Sequence, residues 1–199
     1  MSRVWFSADP GKTGALAIWQ DKDLLHVVDY NKEKYKELLQ TYKEEDSFLL
    51  CEKIDTVYNA KGKFAAFRLG TYIGIIEGLC SGLDINFTTY KSTPREWKKP
   101  WLNLTKQKGE KWDNDEGKKR YCELCKELYP EIDLYGPQYD KDGNIEVYKK
   151  DNKKKGIKAG DTKLELKDGR AAAILIGRSF IERGLLDENS TSVWNITNR

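Results

Sequence analysis

Three carboxylates stand where this sequence could do hydrolytic chemistry on a phosphate ester. Asp9 follows the apolar run Val4-Trp5-Phe6-Ser7-Ala8 and opens the turn Pro10-Gly11-Lys12-Thr13-Gly14. Glu52 follows a second apolar run, Phe48-Leu49-Leu50-Cys51, and Asp168 opens a final helical segment, Gly169 to about Arg183. Singly, each has an ordinary explanation. Asp is a routine helix N-cap, and a strand-end Glu is often a surface charge. Together they say more, because hard divalent cations need clustered oxygen ligands. Carboxylates at two strand ends and one helix start supply such a cluster if the strands are neighbours. Gly11-Lys12-Thr13 does not make a P-loop. Phe6 stands where that motif needs its first glycine, and the residues after it, Ala15-Leu16-Ala17-Ile18-Trp19, read as a strand rather than a helix.

The elements that must position these groups follow from periodicity. Val4–Ala8, Ala15–Trp19 and Leu24–Tyr30 read as a three-stranded antiparallel meander. Residues 31–45 place Tyr35, Leu38, Leu39 and Tyr42 on one helical face. Phe48–Glu52 reads as a central strand, 62–80 as a helix, and Ile85–Tyr90 as a further strand. In the helix, Gly70, Gly74 and Gly78 recur every four residues and form a bare stripe. The stripe is expected to seat the helix on the sheet, with a second copy of the chain as the other possible neighbour. Thr93-Pro94 starts a short helix, with Thr93 as N-cap and Pro94 in the first turn. Asp115–Tyr129 reads as another helix, stopped by Pro130. Residues 136–163 are Lys-, Gly- and Asp-rich and weakly periodic, and read as an insertion or mobile loop. The order is that of an α/β chain with a mixed sheet, taken as a single domain over 1–199.

The charge is unevenly spread. Residues 91–120 carry ten Lys/Arg against five acids, and 141–163 carry eight Lys against four, within a chain of net charge only +3. A basic half beside an acidic remainder points to a polyanion such as nucleic acid. Arg95, Lys98, Lys99, Lys118, Lys119 and Arg120 are the candidate phosphate contacts, with the run Lys153-Lys154-Lys155. Lys12 beside Asp9, and Arg170 beside Asp168, are candidates nearer the carboxylates. The segment Tyr58 to Phe64, with Lys61 and Lys63, mixes aromatic and basic residues and suits stacking on an exposed base. A solvated lysine-rich face, and a buried Phe64, are the plainer alternatives. Four cysteines and one histidine give poor support for zinc. Cys122 and Cys125, spaced i and i+3 on a helix, read as buried packing. No signal peptide or membrane-length apolar run is visible, so the expected setting is the cytoplasm of a bacterial or phage-infected cell, or another intracellular compartment containing DNA, with no membrane partner and no secretion.

Asp9-Pro10-Gly11-Lys12-Thr13-Gly14-Ala15-Leu16-Ala17 resembles the first-strand motif of the RuvC-like DNA junction resolvases, and Cys51-Glu52-Lys53 resembles their second acidic motif. The glycine-spaced helix, Ser92-Thr93-Pro94-Arg95-Glu96-Trp97-Lys98, and Lys167-Asp168-Gly169-Arg170-Ala171 recur in matching order. The chloroplast-type and phage-type members are the most similar. The resemblance spans about residues 3–180 apart from the insertion. It implies a ribonuclease-H-like fold with a mixed five-stranded sheet flanked by helices. It also implies a homodimer and paired cuts in four-way (Holliday) and branched DNA junctions, made with two Mg²⁺ ions (or Mn²⁺) in each active site. Four acids hold the metals in such enzymes. Asp9, Glu52 and Asp168 match three, but the fourth, one helical turn after Asp168, is Ala172.

Ala172 reads as the mark of an inactivated variant that holds its substrate uncut, since the surrounding motif is intact. The alternative is a protein that binds branched DNA without cutting it. A shifted local alignment would instead offer Asp161 or Glu165 as the missing acid. An actin-like or sugar-kinase-like ATPase is disfavoured, because those folds need two related halves and this chain has one Asp-Gly hairpin. A ribonuclease acting on RNA–DNA hybrids is compatible with the fold, and the motif set argues against it without deciding the matter.

Overall fold

The computed structural model describes residues 3–53, 63–104, 109–111, 114–138, 144–149, 151 and 157–186. The first three strands, β1 (Val4–Asp9), β2 (Ala15–Gln20) and β3 (Asp23–Asp29), form the expected antiparallel meander. Helix α1 (Lys32–Tyr42) is capped by Asn31, whose side chain accepts from the Lys34 N–H. It leads into β4 (Phe48–Cys51), which lies parallel to β1 in the register Phe6–Leu49, Ser7–Leu50 and Ala8–Cys51. Helix α2 (Lys63–Gly82) then returns the chain to β5 (Asn86–Thr88), parallel to β4. The strand order is β3-β2-β1-β4-β5, a mixed five-stranded sheet flanked by helices. An antiparallel meander extended by two parallel strands is the ribonuclease-H-like arrangement expected from the motifs.

Alternation along the strands splits the core into two layers. Val4, Phe6, Ala8, Leu16, Ile18, Leu49 and Cys51 face α1 and α2. Trp5, Ala15, Ala17, Trp19, Phe48 and Leu50 face the other side. There the layer is completed by α3 (Pro94–Lys98), α4 (Asn114–Leu128) and α5 (Asp168–Glu182). Trp5 stacks on Trp19 at 5.4 Å and on Phe48 at 5.1 Å, so the second layer is built on aromatic faces.

Helix α5 crosses this layer in close contact with the sheet. Ser7 Oγ donates to the Ala173 carbonyl at 2.7 Å and accepts from the Trp19 indole at 2.8 Å. A Cβ at Gly177 would come within 2.6 Å of both Ser7 Oγ and the Trp19 ring. At Gly169 it would run into the Thr13 carbonyl oxygen, and at Gly14 into the Asp9 carbonyl oxygen. These two glycines bring the start of α5 against the β1–β2 turn, and so bring Asp168 towards Asp9.

One expectation is corrected, and the borders of the 136–163 segment add a detail to a second. The glycine stripe of α2 does not seat the helix on the sheet. Gly70, Gly74 and Gly78 are exposed, and a Cβ at any of them meets nothing within 4 Å. The sheet is met instead by Ile76 and Cys80, with Ile73 and Leu83 beside them, on a different face of the helix. The borders of the 136–163 segment are also more regular than a mobile loop. Strand β6 (Tyr135–Pro137) pairs antiparallel with β7 (Leu164–Leu166). The ladder extends through the Gln138 N–H to the Lys163 carbonyl at 2.8 Å and a bridge between Val147 and Thr162. The weak periodicity hid it because Tyr135 and Leu164 are both exposed, so no buried face marks the strands. Lys153-Lys154-Lys155 lies outside the described residues. The four cysteines are buried and free, and burial pushes the Cys122 and Cys125 thiols up to about 12, which suits packing rather than thiolate chemistry.

Candidate active site

Asp9 is the last residue of β1, and Glu52 directly follows β4. The β1–β4 ladder continues one bond further, from the Glu52 N–H to the Ala8 carbonyl at 2.9 Å, so the two carboxylates emerge side by side at one sheet end. Both lie on the face that carries α5. Ser92 fixes the β4 exit, its hydroxyl donating to the Cys51 carbonyl at 2.6 Å while accepting from the Lys53 N–H at 3.1 Å.

The Asp9 and Glu52 carboxyl groups share a hydrogen bond. Burial, then the charges of Glu52 and Asp168, hold the Asp9 carboxyl well above the usual carboxylate range, and Lys118 opposes them only in part. Burial also raises Glu52, against the hydrogen bond from Trp97, the charge of Lys98 and the hydrogen bond from Asp9. Both carboxyls are therefore raised by the same crowded, buried corner. Two partly buried carboxyls that are both raised are a pair short of positive charge.

Asp168 is held differently. It is the first residue of α5, not its N-cap; Lys167 has that place and makes no side-chain cap. The Asp168 carboxylate is thus released from capping and accepts from Lys118 Nζ at 2.5 Å and from the Tyr121 hydroxyl at 3.2 Å. Lys118 and Tyr121 lie three apart on α4, on one helical face. The Asp168 carboxylate in turn raises the Lys118 ammonium. A polar cavity of about 370 Å³ opens beside this pair, lined by Lys12, Thr13, Asp29, Lys118, Glu165 and Asp168 among others.

Whether these residues suit a divalent cation can be read from the donor set. The Asp9–Glu52 pair supplies hard oxygen ligands that one cation would relieve of their repulsion. A second ion has less to hold it, because Lys118 already sits on Asp168 and Ala172 brings no oxygen. Among the described residues, no three His, Cys, Asp or Glu side chains are gathered closely enough to share an ion. Ala172 is buried one turn after Asp168, in the core layer against α3 and α4. Neither proposed substitute replaces it. Asp161 turns back to accept from the Lys158 N–H at 2.7 Å, and Glu165 lines the polar cavity but is paired with Lys167 at 2.7 Å.

The basic candidates separate. Lys12, Arg95, Lys99 and Lys119 are exposed. Arg120 bridges Glu110 at 3.0 Å and Glu116 at 2.8 Å. Arg170 is a structural tie instead of a free phosphate contact. Its fork takes both oxygens of Asp29, at 2.6 and 2.9 Å, and its third nitrogen donates to the Asp133 carbonyl at 2.8 Å. Lys98 does not project into solvent either. It lies over Trp97 at 4.8 Å and Tyr121 at 5.6 Å, where burial lowers its pKa against the pull of Glu52 and Asp9. Lys61 lies outside the described residues with most of its segment, and Lys63 begins α2. The residues that sequence reading missed as site members are Trp97 and Tyr121. The one available signal was the Lys118–Tyr121 spacing on a helix.

The fold and the site define an α/β protein with a ribonuclease-H-like sheet and an acidic corner at its meander edge. Two similar solved structures are the RuvC structure of Thermus thermophilus and T. thermophilus RuvC in complex with a Holliday junction substrate. The first shares 14% identity at a TM-score of 0.48, covering 91% of this chain and 96% of that one. The second shares 13% at 0.48, covering 92% and 96%. No family model matches the chain, and no curated protein matches it.

Proposed function

We propose that this protein is a structure-selective endodeoxyribonuclease of the RuvC-like kind, acting on four-way and other branched DNA, with its cleavage impaired by Ala172. The observation that carries this reading is the Asp9–Glu52 carboxyl pair at the ends of two adjacent parallel strands, with Asp168 brought to the same corner by Gly14 and Gly169. Asp9 and Glu52 would hold one Mg²⁺ or Mn²⁺, and Asp168 would help hold a second. Bound there, such a cation supplies Lewis-acid stabilisation of charge developing on a phosphodiester. The chain's own residues do the rest. Lys12 on the β1–β2 turn and Lys118 at the polar cavity offer positive charge to a phosphate next to the carboxylates. Arg95, Lys99 and Lys119 extend the basic surface along α3 and α4, where phosphate contacts would dominate affinity and make it salt-dependent. A four-way junction has local two-fold symmetry, so a homodimer would present one such corner to each of two opposed strands.

The second reading is a branched-DNA-binding protein that does not cut. It is favoured by the ion pair between Lys118 and Asp168, which neutralises an acid where the fourth ligand is lacking.

The test uses the chain and its Ala172→Glu variant on a four-way junction and a matched linear duplex, with and without Mg²⁺. Junction-selective binding by both, with symmetric Mg²⁺-dependent cuts from the variant alone, is the expected result. Binding by both without cutting by either assigns the second reading. Equal binding to junction and linear duplex overturns both.

A further inference from the structure

We propose that Trp97 and Tyr121 act as one aromatic clamp that sets the separation of the Glu52 and Asp168 carboxylates, which makes both of them positioning residues of the acidic corner. The proposal deepens the metal-dependent reading above and rests on it for its functional meaning. The Trp97 indole N–H donates to Glu52 Oε1 at 2.8 Å, and the Tyr121 hydroxyl donates to Asp168 Oδ2 at 3.2 Å. The two rings meet edge to face, with centroids 6.0 Å apart and planes at 76°. An unbroken chain of carboxylate, ring, ring and carboxylate thus spans from the end of β4 to the start of α5.

Packing alone does not require this arrangement. A buried indole or phenol needs a partner for its polar end, and any backbone carbonyl would serve. Here both polar ends are spent on two of the three carboxylates that the corner brings together. Each ring is held by its own helix. Trp97 is buried on α3, whose start is fixed by the capping box between Thr93 and Glu96. Tyr121 is buried on α4, one residue before Cys122 in the core layer. With few rotatable bonds and little exposure, neither ring readily follows a carboxylate that moves.

Lys98 completes the clamp. Its ammonium lies over both rings and within electrostatic reach of Glu52 and Asp9. It draws the rings together by cation–π attraction. It also offsets the repulsion between Glu52 and Asp9. The carboxylates are therefore orientated before any cation arrives. Partners of this kind, behind the ligands themselves, typically change metal affinity by about 10- to 100-fold when removed.

The experiment is a Mn²⁺ titration of the full chain, followed by the paramagnetic resonance of the free ion. The proteins are wild type, Trp97→Phe, Tyr121→Phe and the double variant, each with a thermal melt. A further protein carries 3-benzothienylalanine at position 97, which keeps the ring shape and removes the N–H, so the proposal stays testable if Trp97→Phe folds poorly. The expected result is Mn²⁺ binding about tenfold weaker in each single variant. The double variant should lose much less than the product of the two, because the residues act as a unit. The midpoint of Tyr121→Phe should stay near wild type. Wild-type affinity in both single variants, or fully multiplicative losses, overturns the clamp. If the wild-type chain takes no Mn²⁺, the metal-dependent reading fails, and the clamp is judged on the nitrogen-15 resonance of the Trp97 indole N–H. That resonance should move in both Glu52→Gln and Tyr121→Phe, and an unmoved resonance in either overturns the clamp without reference to metal.

Discussion

Helices α5 and α2 lie on opposite faces of the sheet, and both are rich in glycine, but they use it in opposite ways. In α5, Gly169 and Gly177 are contact points. A side chain at either would strike the β1–β2 turn, Ser7 or Trp19, so only glycine lets the helix lie this close. In α2, Gly70, Gly74 and Gly78 face open space, and the helix meets the sheet through Ile76 and Cys80. The regular spacing drew attention to the wrong helix. Glycine every four residues shows that a bare stripe exists, not what lies against it. A single glycine beside an aspartate, as at Gly169, carried the closer packing.

The comparison is broken most severely at Gly169. Gly169→Ala is expected to destabilise the fold by about 1–3 kcal/mol through overpacking and to move Asp168 away from Asp9. Chemical denaturation measures the first effect, and weakened Mn²⁺ binding reports the second. An unchanged midpoint would mean that α5 does not pack against the Thr13 carbonyl.

A second prediction concerns what the close approach costs. Asp9 and Glu52 both have folded-state pKa values above the usual carboxylate range. The folded chain therefore holds more protons than the unfolded one between the ordinary and the raised values, and stability falls as pH rises through that window. Asp9→Asn should unfold at a higher temperature than wild type at neutral pH. The margin should close towards about pH 4, where the unfolded carboxylates also become protonated. Thermal melts across this range measure it, and an equal margin at every pH would remove the carboxylate repulsion as its cause.

The smallest effect belongs to α2. Gly74→Ala adds a methyl that meets nothing, so it should stabilise the chain by up to about 1 kcal/mol through helix propensity alone. Destabilisation instead, growing with protein concentration, would mean that a second copy covers this face in solution.

Much of the acidic corner was legible because strand ends and helix starts leave local marks. Asp9 and Glu52 each follow an apolar run, and Asp168 opens a long periodic segment. Their supports were not legible, because the partners are far apart along the chain. Trp97 lies 45 residues from Glu52, Tyr121 lies 47 from Asp168, and Arg170 lies 141 from the Asp29 that occupies it. Arg170 shows the consequence: a basic residue next to an acidic motif looks like a phosphate contact until its carboxylate partner is found across the fold. The β6–β7 pairing was hidden for a related reason, since two three-residue strands whose one buried position is Gly136 are too short to show an alternation.

By itself, the amino-acid sequence determined the mixed α/β layering, the two apolar faces of the strands and the places of the three carboxylates along the chain. All of these follow from residue type and short-range period. Tertiary structure alone decided that the Asp9 and Glu52 carboxyls are both raised, that Lys118 rather than the helix backbone takes Asp168, and that Trp97 and Tyr121 join the two ends of the site. Burial and the field of distant charges set those outcomes, and both exist only once strands β1 and β4 and helices α3, α4 and α5 have met.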